Sequence, residues 1–146
     1  MENSNDRYIP KNQRKGYNRA NNSNQSVDPP GRIPPRDVEV EEAVLGALML
    51  EKDAYTIVCD LLKPESFYDP RHQAIYFAVQ ELGASQQPID MLTVTERLRA
   101  NGDLDEVGGP AYISSLTSKV ASGAHVEFHA RIVAQKYLAR ELIKFS

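Results

Sequence analysis

The residues able to do chemistry are few, and they are poorly placed for catalysis. His125 and His129 stand four apart on one side of a helix, as two metal ligands would. Glu127 is out of register for a metalloprotease motif, however, and no third ligand lies near in sequence. His72, three residues after Asp69, is placed to return a bond to a helix cap or its neighbouring turn. Asp103, Asp105 and Glu106 resemble part of a calcium loop but lack its central Gly and terminal Glu. Gly108-Gly109 has no strand before it and no Lys-Ser/Thr after it, so it is not a phosphate loop. Ser114 and Ser115 have no organised base, and Cys59, on the apolar side of a helix, is expected to be buried filler. No catalytic, cofactor-binding or metal-ligating residue is assigned. The pattern that stands out is Lys136, Arg140 and Lys144, like charges repeated every four residues beside an apolar face. Such a ridge is either a solvated face or a binding edge for an acidic protein.

The elements that must hold these residues start with an uneven charge distribution. The chain has 146 residues, about one domain, with a net charge of −3. Residues 1–36 carry seven basic and three acidic side chains, and the remainder carries ten and seventeen. An acidic body repels a phosphate backbone on average and is a poor grip for nucleic acid. Residues 1–32 form a basic tail rich in Asn, Ser, Gln and Pro, expected to be disordered because it cannot bury a core. Lys11, Arg14, Lys15 and Arg19, with Tyr8 and Tyr17 to stack, are available for loose nucleic-acid contact; a solubilising leader is the simpler reading. One Cys cannot form an internal disulfide, which fits a cytoplasmic protein. The longest apolar run, Ala43 to Leu50, is eight residues and cannot cross a bilayer, and no secretory signal precedes it.

From residue 33 onward the spacing predicts an all-α fold: a compact multi-helix head over 33–122, then a long helix over 123–146. Asp37 caps a helix over 38–50, whose Gly46 marks a close helix crossing. A helix over 53–62 turns Ala54, Ile57, Val58, Leu61 and Leu62 inward. Asp69-Pro70 opens a third helix that Gly83 ends. Asp90 caps a fourth over 91–100, buried through Leu92, Val94 and Leu98. Residues 104–107 are at most a turn, and a fifth helix over 110–119 presents Tyr112, Ile113 and Leu116. Ser122 caps the last.

That last helix carries apolar residues over an arc too wide for one partner. Ile132, Val133, Tyr137, Leu138, Leu142 and Ile143, with Lys136, Arg140 and Lys144 at their margin, are the candidate protein-interaction residues. The helix has no stop signal before Ser146, so the chain reads as cut from a longer protein.

Five stretches in order resemble the N-terminal domain of the bacterial replicative DNA helicase, the DnaB family. They are P-P-R-D-V-E-V-E-E-A-V-L-G-A-L-M-L at 34–50, L-L-K-P-E-S-F-Y-D-P-R-H-Q-A-I-Y at 61–76 and P-I-D-M-L-T-V-T-E-R-L at 88–98. G-D-L-D-E-V-G-G-P-A-Y-I at 102–113 and H-V-E-F-H-A-R-I-V at 125–133 complete them. The resemblance implies a collar and assembly domain that pairs through a helical hairpin, forms a trimer-of-dimers hexamer and binds primase. The 123–146 helix would be the first hairpin arm, with the second beyond Ser146. His125 stands where the family commonly has Asn, which touches only local capping. By the same resemblance, ATP, magnesium and single-stranded DNA belong to an ATPase domain absent here, and a helicase loader is a further partner. The fragment itself would be no enzyme. A helix-turn-helix DNA binder competes on scale alone, but 110–119 offers only Lys119 for a recognition helix.

Overall fold

Four of the helices start where the first turn finds a side-chain acceptor or a proline. Asp37 accepts from the Val40 N–H at 3.2 Å, Asp69 accepts from Arg71 just before Pro70, and Asp90 and Thr93 bond each other's backbone N–H groups reciprocally. In a computed structural model describing residues 7–14, 33–120 and 125–145, these signals produce an all-α fold. The helices are α1 (Val38–Leu50), α2 (Ala54–Val58), α3 (Pro70–Ala84), α4 (Met91–Asn101), α5 (Leu104–Val107), α6 (Gly109–Ser118) and α7 (Val126–Lys144). Short 3-10 turns form at Lys11–Gln13 and Pro64–Ser66.

Helix α1 is the central element, packed against α3, α6 and α7. Its Val44, Leu45 and Leu48 meet Ile75, Tyr76 and Val79 of α3, Leu98 of α4 and Leu116 of α6 in one buried cluster. Val126, Ala130 and Val133 of α7 belong to the same cluster, so the first half of α7 is core. Gly46 is where α1 and α6 cross: a Cβ there would meet the Leu116 carbonyl oxygen at 2.3 Å and Val120 Cγ2 at 2.4 Å. The expected close crossing is present.

Five expectations are corrected. Helix α2 stops at Val58 and continues as turns, so Val58 and Leu62 stay inward while Ile57 and Cys59 face solvent. Cys59 is therefore exposed rather than filler. Helix α4 buries Val94, Thr95, Leu98 and Asn101, which leaves Leu92 on the opposite side, 70% exposed. Gly83 does not end α3; the helix runs through it to Ala84, and the glycine instead leaves room for the Tyr55 ring, which a Cβ would meet at 2.3 Å. Within the tail, residues 7–14 are placed against the head, with Pro10 buried and Tyr8 half-buried. The expectation of disorder for the rest of the tail, and the Ser122 cap, fall on residues outside those described.

Candidate protein-interaction surface

Helix α7 presents two different faces. On a helix advancing about 100° per residue, Leu138 and Leu142 fall roughly 130° around from Val126, Ala130 and Val133, and Phe145 follows the last helical residue. The first set is buried on α1 and α2. The second is exposed, Leu138 by 59%, Leu142 by 64% and Phe145 by 84%, with Phe128 and Ile143 also outward. Phe128 and Phe145 were not among the candidates from sequence, although their positions relative to Leu138 and Leu142 carried the signal.

The candidates divide accordingly. Leu138, Leu142 and Ile143 lie outward, whereas Val133 is buried core and drops out of any interface. Ile132 and Tyr137 are half-buried, and Lys63 Nζ lies 5.3 Å from the centre of the Tyr137 ring. The basic ridge does not form a uniform solvated margin, because each four-residue step rotates a row by about 40° on an α-helix. Lys136 is half-buried, and Lys144 is exposed and paired with Glu141 at 3.1 Å. Arg140 has rotated onto the head. It donates to the Pro35 carbonyl at 2.8 Å and the Ser66 carbonyl at 2.9 Å, and its guanidinium lies 5.4 Å from the Tyr68 ring centre. Burial lowers its pKa from the ordinary arginine value, with the Glu41 carboxylate opposing that shift. Arg140 is a clasp holding α7 to the chain before α1 and to the 64–66 turn.

A polar cluster lies inside the head, with Glu41 and His72 buried at its centre and Tyr112 and Glu42 half-buried at its edge. Glu41, placed by sequence in the first turn of α1, is 1% exposed. Its carboxylate accepts the Tyr68 N–H at 2.6 Å, the Asp69 N–H at 3.3 Å and His72 Nδ1 at 2.8 Å. His72 Nε2 lies 2.7 Å from the Tyr112 hydroxyl, which also contacts Glu42 at 3.3 Å. Burial is the main cause pushing the Tyr112 phenol up to about 12; Arg71, 4.2 Å from the ring centre, acts the other way. His72 thus reaches across to α1 rather than chiefly back to its own cap, whose Asp69 oxygen is 4.0 Å away. With the Glu41 oxygens taken by two amides and His72, this network ties α1, α3 and α6 together. Among the described residues no group of three or more His, Cys, Asp or Glu could hold a metal ion, and no helix could cross a membrane.

This arrangement has known counterparts. The family model for the DnaB-like helicase N-terminal domain matches residues 33–135. The chain belongs to that family. It is 50% identical over 110 residues to the replicative DNA helicase DnaB of Rhodothermus marinus, covering 75% of this chain and 12% of that protein. It is 41% identical over 113 residues to the replicative DNA helicase DnaC of Bacillus subtilis, covering 77% and 25%. Among solved structures it resembles the N-terminal domain of DnaB helicase from Mycobacterium tuberculosis, with 39% identity and a TM-score of 0.74 over 77% of this chain and 81% of that one. A structure of a DnaB-like replicative helicase and its interactions with primase gives 28% identity and a TM-score of 0.65 over 74% and 25%. The chain therefore spans about a quarter or less of these two helicases, and the family model it matches is that of the N-terminal domain.

Proposed function

We propose that this chain is the assembly and primase-interaction domain of a replicative ring helicase that unwinds DNA at the replication fork. The observation that carries the reading is the outward apolar row Leu138, Leu142 and Phe145, on a helix whose other face is already core. A row of that kind, on the helix where the family places its hairpin arm, fits a second copy of the same chain. The chain on its own forms a monomer–dimer equilibrium and no stable hexamer. In the full-length protein, paired domains build a trimer-of-dimers collar in the cytoplasm, which primase binds and a loader engages. ATP, magnesium and single-stranded DNA are handled by the separate ATPase domain. Light scattering across a concentration series, followed by calorimetric titration with the C-terminal part of the cognate primase, tests this. A mass rising toward dimer and saturable primase binding are expected; a concentration-independent monomer that ignores primase would contradict the reading.

A further inference from the structure

The tail segment 8–14 contacts the head in a way that general packing does not account for. Asp103 occupies the N-cap position of α5 but makes no capping bond, and it is only 1% exposed. A buried carboxylate needs partners. Among the described residues every partner of this one comes from the segment: the Tyr8 hydroxyl, the Lys11 N–H at 3.1 Å and the Arg14 guanidinium at 3.8 Å. Glu65, across the groove, accepts the Tyr8 N–H at 2.6 Å. Both acidic groups therefore accept from peptide backbone, and Asp103 meets side chains as well.

The remaining contacts follow the shape of a bound peptide. The Tyr8 ring packs against Phe77 with centres 5.3 Å apart, and Pro10 is buried. The Asn12 amide donates to the Ala100 carbonyl, one of those left open at the end of α4, at 2.7 Å. Gly102 ends that helix with φ +80°, and a Cβ there would meet the Asn12 nitrogen at 3.3 Å. Lys11 Nζ reaches Glu106 at 3.3 Å. The acidic run Asp103–Glu106, of no use as a calcium loop, is thus met by basic residues of the tail. The segment lies outside the family match, whereas Asp103 lies within it.

We propose that the groove between Glu65, Phe77 and Asp103 is a peptide-docking site for an aromatic–aliphatic–proline–basic segment, and that its ligand is this chain's own residues 8–14. Recognition resides in the segment itself and is separable from the connecting residues 15–32. A short tether can raise local concentration to on the order of millimolar, so modest intrinsic affinity suffices for closure in cis. The docked segment also walls a cavity of about 910 Å³ whose far side includes Tyr137 of α7.

The test uses the whole chain and a synthetic peptide of residues 7–14. In the parent, amide exchange at Lys11 should be slowed, and added peptide should bind weakly because the groove is filled. Tyr8→Ala (Y8A) or Pro10→Asp (P10D) should release the tail, return Lys11 to free-chain exchange and open the groove. The peptide should then bind with millimolar or better affinity, at least tenfold tighter than to the parent, perturbing Phe77 and Asp103. Adding Asp103→Ala (D103A) to either variant should abolish that binding with the melting profile retained. P10D keeps the test open if Y8A disturbs the head, because the substituted residue leaves the surface when the segment is released. No binding to an opened groove at several millimolar peptide, or binding indifferent to D103A, would overturn the proposal.

Discussion

The inner and outer faces of α7 are both apolar and differ in what covers them. Val126, Ala130 and Val133 are fixed by α1 and α2, while Leu138, Leu142 and Phe145 have comparable apolar character and stay exposed. The inner face holds the helix to the head, with Arg140 as its polar clasp; in the proposed assembly the outer face takes a second copy.

Substitutions on the two sides should separate cleanly. The largest effect is expected for Val133→Asp (V133D), which buries an unpaired carboxylate and should cost about 4 kcal/mol or more, unfolding much of the chain. Gly46→Leu (G46L) attacks the helix on which α7 rests. Helix propensity improves by several tenths of a kcal/mol, but the clash with the Leu116 carbonyl should cost about 1–3 kcal/mol overall. Thermal melting reads both; an unchanged midpoint for G46L would remove the crossing from the account. Arg140→Ala (R140A) leaves the Pro35 and Ser66 carbonyls without their charged donor and should cost about 2 kcal/mol. That result would mark Arg140 as part of the inner face, whereas a stability loss near zero would return it to the solvated margin. Smallest of all, Lys136→Glu (K136E) should leave the melt within about 0.5 kcal/mol and alter the salt dependence of partner binding.

What sequence could convey depended on how far away the deciding partner lay. The starts of α1, α3 and α4 were legible because Asp37, Asp69-Pro70 and Asp90 act within their own first turns. Gly46 was legible because a glycine inside a strong helix pattern asks for a close neighbour. Arg140 was not, since its acceptors lie 105 and 74 positions away; the four-residue row's drift around the helix was predictable, but not what it would meet. Glu41 looked like a first-turn acid for the same reason, its amide donors being 27 and 28 residues on. The docked tail was hidden further still, because Tyr8 and Asp103 are 95 positions apart and composition alone argued against order. On α7 the excess width of the apolar arc was visible, but only the packed head decided which half of it faced inward.

The central claim is that the outer row pairs copies without contributing to the fold. Sedimentation velocity on the parent and on Leu138→Asp/Leu142→Asp (L138D/L142D), across the same concentration series, tests it most directly. The parent should shift from monomer toward dimer as concentration rises. The double variant should melt within about 0.5 kcal/mol per site of the parent yet associate at least tenfold more weakly. A double variant that pairs as well as the parent would contradict the assignment of this face, and one that unfolds would show that it belongs to the core.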